Sequence, residues 1–381
     1  MGSSGPDDSL GREHRHVVLR NERTDNIARR HPRFAELDGL RGIAALAVVI
    51  SHFTGAFNSH YPHEPKAAFD FPEGAFGVQL FFMISGFVIL MSVTRVRRAR
   101  DFVISRFSRL YPTYWASLIL AVILMRSTDF PAAHVTPENI ALNTTMVQRW
   151  FLVPNIVEVY WTLAIEMQFY FIMFGLLVLS RCRVTNKMVY ILATVWTIVS
   201  WVVALSVFPY TRGIDPQLVY TPVKVILNVT LAEYGPLFLA GMLFYLARNN
   251  RTLFPWALAS SFSAVAIAFL LHDVKYGLCV SVVVALFAVT VYRDETRLLR
   301  TKPVAWLGKV SYSLYLVHSI LGYVVIRYGM EYFGRNGAMV VALVLSLVVS
   351  AIFYQLFEVR ASGALRRVLS KTLSKTAPTK A

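Results

Sequence analysis

The chain has 381 residues, 56% of them hydrophobic and only 16% charged, where a soluble domain usually carries about a quarter charged residues. That balance excludes an ordinary soluble enzyme. The apolar residues fall in blocks of roughly 15–22, the length of a bilayer-spanning helix, so the fold class is an all-α, polytopic membrane bundle. The formal charge of +16, from 38 Lys and Arg against 22 Asp and Glu, would indicate nucleic acid in a soluble chain, and its distribution excludes that reading too.

Residues 1–36 form a basic tail, polar and Arg-rich, without the short apolar core and cleavage site of a signal peptide. The first span is expected at about 40–57, followed by a polar segment, 58–74, rich in His, Pro, Glu and Asp. The second, 75–93, ends in a dense basic loop that includes Arg106 and Arg109. The third, 112–126, opens with Tyr111, Tyr114 and Trp115, residues suited to a membrane interface. The connection 127–159 is the longest, with several prolines and a mildly apolar patch that has the composition of a re-entrant segment. Spans follow at 160–179, 188–208, 225–246, 255–271, 276–292, 309–328 and 338–357, and a basic tail occupies 359–381. The transmembrane unit thus covers 37–358, with about ten helices. Cys182 and Cys279 offer neither a disulfide framework nor metal spacing.

Ten spans put both termini on one side. That side carries 30 Lys and Arg, and the other carries eight. The positive-inside rule makes the thirty, and both termini, cytoplasmic. The basicity therefore sets topology, and nucleic acid is not an expected partner.

Charged residues inside spans cost ~2.5–3.5 kcal/mol near the centre and call for an explanation. Arg41 and His52 stand eleven positions apart, about three turns plus ~20°, so they share a helix face roughly 16 Å apart along the axis. Snorkelling to lipid headgroups also accounts for Arg41, and contact with headgroup water for His52. Glu166 sits at the depth of His52 and shares a face with Tyr170. His52 is its expected partner, the alternative being a protonated structural Glu. Arg106 and Arg109, spaced i, i+3, share a face if they lie on a short surface helix and can then fork onto phosphate oxygens. An ordinary topogenic cluster binding anionic lipid is the alternative. Ser85, beside Gly86, permits close helix packing. Glu233 is a second intramembrane acid, beside a kink at Pro236, and His318 lies near the midplane as a pore residue or a packing histidine.

Five motifs in order give this set a recognisable shape. They are Arg41-x10-His52, Phe81-Phe-x-x-Ser-Gly-Phe87, Arg106-x-x-Arg-Leu-Tyr-Pro112, Trp161-Thr-Leu-x-x-Glu-x-x-Phe-Tyr170 and Ser311-Tyr-Ser-Leu-Tyr-Leu-x-His318. From about residue 35 to 358 the chain resembles the membrane-bound acyltransferase 3 family, bacterial O-acyltransferases that mostly transfer acetyl groups. It is most similar to the stand-alone exopolysaccharide and Nod-factor type, without an appended esterase-like domain. One departure is Glu166-Met-Gln where many members have Glu-Glu-Gln. The resemblance implies a multi-pass protein of the bacterial cytoplasmic (inner) membrane, with cytosolic acetyl-CoA as donor and no metal. The acceptor it implies is a hydroxyl of an exopolysaccharide, lipopolysaccharide, lipooligosaccharide or other lipid-linked saccharide. His52 is then the general base and Glu166 its orienting acid, Arg41, Arg106 and Arg109 hold the CoA phosphates, and Tyr170 and Ser85 are weak oxyanion donors. Membrane lipid is the remaining partner. The competing functions are a transporter or flippase for an acyl or glycan intermediate, a non-catalytic receptor or scaffold, and a macrolide-type small-molecule O-acyltransferase.

Overall fold

The computed structural model describes residues 34–130, 135–211, 221–293 and 296–375. The tail at 1–33 and the last residues, 376–381, lie outside them. Every regular element among the described residues is helical. Helix α1 is Ala35–Ser51 and runs on through a π-helical turn, His52–Ala56, to His60. Then come α2 (Gly77–Val93), α3 (Ala99–Ser127), the short α4 (Pro137–Asn143), α5 (Trp161–Leu179) and α6 (Asn186–Val207). They are followed by α7 (Thr221–Thr230), α8 (Gly235–Asn249), α9 (Phe254–Leu271), α10 (Val274–Tyr292), α11 (Lys302–Phe353) and α12 (Ser362–Lys375).

Nine helical segments among the described residues are long and apolar enough to cross a membrane, the last running over 302–372. That last segment holds two passes. Gly334 has φ +65°, a left-handed conformation that glycine adopts without a Cβ penalty. The chain reverses there. A Cβ on Gly329 would meet the Ala338 Cβ at 3.3 Å, whereas nine residues of straight helix would separate them by ~13 Å. Further along, the carboxylate of Glu358, in the π-helical segment Tyr354–Ala361 that continues the second arm, accepts from the backbone N–H and hydroxyl of Ser313, at 3.1 and 2.5 Å, tying that segment to the first arm. Glu358 thus closes the hairpin.

Two sequence expectations are corrected here. The third span is not 112–126 preceded by a short surface helix. Helix α3 is continuous over 29 residues, with Pro112 inside it, and carries Arg106 and Arg109 within its own length. In addition, Tyr111, Tyr114 and Trp115 donate to the backbone carbonyls of Thr145, Asn143 and Thr144 at 2.8, 2.5 and 3.0 Å. These side chains pin the 135–160 connection some 18 Å back along α3 from its end at Ser127. Buried Asn143 holds the same connection from within: its amide donates to the Asn139 and Pro154 carbonyls and its oxygen accepts from Ile156 N–H.

The tightest helix pair is α2 with α8. Cβ atoms added at Gly86 and Gly241 would lie 2.1 Å from the Phe238 carbonyl oxygen and 2.0 Å from that of Met83. Small residues let these backbones touch, the means by which helices associate in lipid. Gly86→Leu or Gly241→Leu is therefore expected to cost at least the ~1–3 kcal/mol of an overpacked core. Thermal unfolding in detergent should show a lowered midpoint for both, and none for Gly175→Ala, where nothing lies within 4 Å of the added carbon.

Candidate active site

Two cavities lie along one polar axis through the bundle. The first, about 90 Å³ and narrow, is lined by Arg41 of α1, Arg106 and Arg109 of α3, Glu166 and Tyr170 of α5, and Ser85 of α2. Ser85 Oγ and Tyr170 Oη both donate to Glu166 Oε1, each at 2.6 Å. Both bonds converge on one oxygen. Arg106 donates to Ser92 Oγ at 3.1 Å, and its guanidinium lies 5.8 and 6.0 Å from the Phe102 and Tyr170 ring centres. Its Nε is buried with no hydrogen-bond partner among the described residues. Neither Arg41 nor Arg109 has an ion-pair partner among them either. Three guanidiniums with unused donors around one carboxylate form an anion-binding constellation.

The second cavity, about 360 Å³, lies at the other end of the axis. Its lining includes His60 at the end of α1's extension, Phe130 beyond α3, Asn155 and Glu158 before α5, and Ser319 and Tyr323 of α11. His60 Nε2 pairs with Glu158 Oε2 at 3.5 Å. The rings of Phe130 and Tyr323 are parallel to within 9° at 6.4 Å, and the His60 ring lies 5.5 and 5.2 Å from them.

His52 and His318 stand between the cavities. Their ring centres are 4.9 Å apart, and the Tyr323 hydroxyl lies 3.4 Å from His52 Nδ1. His318 is fully buried. Its Nδ1 faces the carbonyls of Leu314 and Tyr315 at 3.0 and 2.9 Å. Carbonyls only accept, so Nδ1 carries the proton and, in the neutral ring, Nε2 keeps a lone pair. That Nε2 is buried with no hydrogen-bond partner among the described residues. The same helix supplies both cavities at i, i+4 spacing: Ser311 and Tyr315 line the first, Ser319 and Tyr323 the second.

The sequence expectations meet this geometry unevenly. Arg41, Arg106, Arg109, Glu166, Tyr170 and Ser85 come together as one group. Glu166 is not brought to His52. The charged groups that act on His52 are Glu158 and His60, and Glu166 is held by Ser85 and Tyr170 instead. His318 does meet His52. Glu233 lines neither cavity; it joins His272 Nε2 at 3.0 Å and the Tyr276 hydroxyl at 3.1 Å, beside Gln79. Glu158, His60, Ser319 and Tyr323 are additions, and the i, i+4 stripe of Ser311, Tyr315, Ser319 and Tyr323 in an apolar span is the sequence signal that reveals the last two.

A polytopic helical membrane protein, with an arginine-lined cavity at one end of its interior and a histidine pair between that cavity and a second, is the class these features define. The chain belongs to the acyltransferase 3 family: the profile described as "Acyltransferase domain" matches residues 34–355. It is 24% identical over 319 residues to the putative peptidoglycan O-acetyltransferase YrhL of Bacillus subtilis (strain 168), covering 74% of this chain and 47% of the relative. It is 26% identical over 220 residues to the peptidoglycan O-acetyltransferase OatA of Listeria monocytogenes, covering 52% and 32%. Acyltransferase MdmB of Streptomyces mycarofaciens is 27% identical over 146 residues, 36% of this chain and 38% of the relative. The chain thus spans less than half the length of these curated relatives. No solved structure matches it.

Outside the two cavities, His272 sits in the tight turn between α9 and α10. Burial alone would lower its imidazole, but the hydrogen bond and charge of Glu233, with Asp273 adding, carry it above the usual histidine value. A raised folded value means that this stabilisation is full below the unfolded value of ~6.5 and is lost as pH rises through the folded one. His272→Gln is expected to lower the unfolding midpoint at pH 6 and to matter less at pH 9; a pH-independent loss would contradict the ion pair.

Proposed function

We propose that the protein is a membrane O-acyltransferase that moves an acetyl group from acetyl-CoA to a hydroxyl of a glycan across the bacterial cytoplasmic membrane. The observation that carries this reading is the first cavity: three guanidiniums, one of them with a buried Nε left unmet, converge where a phosphate-bearing donor would be held. Arg109 is exposed and Arg106 half-buried, so the phosphates stay at the mouth. The narrow interior accepts only a slender chain such as the pantetheine arm. The positive-inside rule puts this end in the cytosol. His52, roughly 16 Å along α1 from Arg41, is then near the reach of that arm.

In this reading His52 is the general base. Tyr323 donates to Nδ1, or yields that place to the acceptor hydroxyl, and the His318 Nε2 lone pair favours a proton on His52 Nε2. Nδ1 is thereby kept as the basic nitrogen. The hydroxyl oxygen bonds to the thioester carbonyl carbon as its proton passes to His52. The carbon–sulfur bond then breaks, and the proton goes on to the departing sulfur, giving an ester and the free CoA thiol. Glu166 keeps the arginines and Tyr170 in place at the donor end.

A transporter would need no donor chemistry at the arginines. Purified full chain with labelled acetyl-CoA and a glycan panel separates the readings. His52→Ala is expected to lose about 10²–10⁴-fold in transfer rate. Arg106→Ala is expected to raise the KM for acetyl-CoA about tenfold or more, through a lost charge-assisted contact of ~1.5–3 kcal/mol. If the wild type acetylates nothing, or His52→Ala matches it, the proposal fails.

A further inference from the structure

We infer that the second cavity is the acceptor site and that it takes a single hydroxylated ring, a sugar residue, through Phe130, Tyr323, Glu158 and Ser319. This rests on the acyl-transfer reading and names the half of the reaction that the arginine cavity leaves open.

The walls divide as a sugar's surface divides. A pyranose has an apolar C–H face and a rim of hydroxyls. Phe130, Tyr323 and the half-buried His60 offer ring surfaces at one side of the cavity, 5.2–6.4 Å from one another, and flat aromatic faces suit the apolar face of such a ring. Acceptors and donors for hydroxyls come from Glu158, Asn155 and Ser319. Asn155 Oδ1 accepts from the Gln148 amide at 2.8 Å, which fixes the side chain.

The second observation is Ser319. Its side chain is 2% exposed, and its Oγ is buried with no hydrogen-bond partner among the described residues, yet it lines the cavity. A buried hydroxyl left unmet costs about 1–3 kcal/mol, and a hydroxyl of the guest relieves it. One residue earlier, His318, whose Nε2 is equally orphaned among the described residues, has its ring centre 4.9 Å from that of His52. Two adjacent orphaned polar atoms on one helix, at the end of the cavity nearest the proposed base, mark where a hydroxyl must come.

Size and charge narrow the guest. About 360 Å³ is at the low end of ligand pockets, roughly 300–1,000 Å³, room for one small ring with the rest of a chain outside. The lining carries one acid, Glu158, already paired with His60. No Lys or Arg among the described residues lines the cavity: outside it, Arg335 donates to the Phe53 carbonyl and lies 4.2 Å from the Phe57 ring centre, its Nε and Nη1 buried without a partner among the described residues, and Arg126 donates to the Val135 carbonyl at 3.0 Å. Phosphate chemistry therefore belongs to the first cavity and hydroxyl chemistry to the second.

The test has two arms on the purified full chain. In the kinetic arm the acceptors are methyl hexopyranosides. Phe130→Ala, Glu158→Gln and Ser319→Ala are each expected to raise the acceptor KM about tenfold, with the acetyl-CoA KM within twofold of wild type; Arg106→Ala shows the opposite split. In the protection arm the wild type is treated with diethyl pyrocarbonate and carbethoxylation of His60 is followed by mass spectrometry. A methyl hexopyranoside is expected to slow it several-fold, and decanol to leave it unchanged. Variants that raise the acetyl-CoA KM as much as the acceptor KM, absence of protection, or equal protection by decanol would each overturn the acceptor site. If the wild type transfers acetyl to nothing while the hexopyranoside still protects His60, the acyl-transfer reading fails and the sugar site stands.

Discussion

The interaction on which the interior depends is the carboxylate of Glu166 set among three arginines. An acid or a guanidinium alone inside a span is costly, and one that has lost its partner costs more than one that never had it. Here α1, α2, α3 and α5 each supply one or two members of the group. None of these helices can rotate without exposing a charge to apolar neighbours. Ser85 and Tyr170 fix the carboxylate through one oxygen, so it can act as an anchor for the cations without neutralising all three.

The same constraint orders the opposite end with weaker means. There the polar groups are a histidine pair, tyrosine and serine, with a single acid at the rim. Neutral groups near the middle of a bundle cost far less than ions, so the charge thins from Arg109 inward to His318 and returns only at Glu158. The π-helical turn at His52–Ala56 contributes to this arrangement. One extra residue in the turn changes which side chains face inward just where His52 must meet α11, and Thr54, donating to the Ile50 carbonyl and accepting from Phe71 N–H, holds the widened turn in place.

Much of the fold is legible in the sequence because lipid makes it so. Apolar runs must be helices, and their lengths and spacing mark the separate passes, including the two arms that meet at Gly334, where the backbone leaves the helical conformation. The charged residues of the arginine cavity were legible too, because an ion within a span is conspicuous. Rotation about each helix axis is not legible in this way. Counting residues gives a position along a helix, but which neighbour Glu166 faces depends on packing such as the α2–α8 contact at Gly86 and Gly241, and it falls in the arginine cavity and not beside His52. His60 and Glu158 escaped notice for the opposite reason. They lie at helix ends in polar segments, where a charge is cheap and draws no attention.

The 135–160 connection ties these points together. Its composition marks it only as a mildly apolar loop. In the structure it is pinned along α3 by Tyr111, Tyr114 and Trp115, and from inside by Asn143. Each of those bonds meets a backbone carbonyl or N–H of the connection. A segment bound this way is part of the rigid wall, and its last residues, Asn155 and Glu158, are placed as firmly as side chains on a helix. The chain therefore has a built cavity at this end as well as at the arginine end, formed by helix ends and the pinned connection. Variation in such a segment can change what the cavity admits without disturbing α1, α3 and α5, the helices that carry the charges.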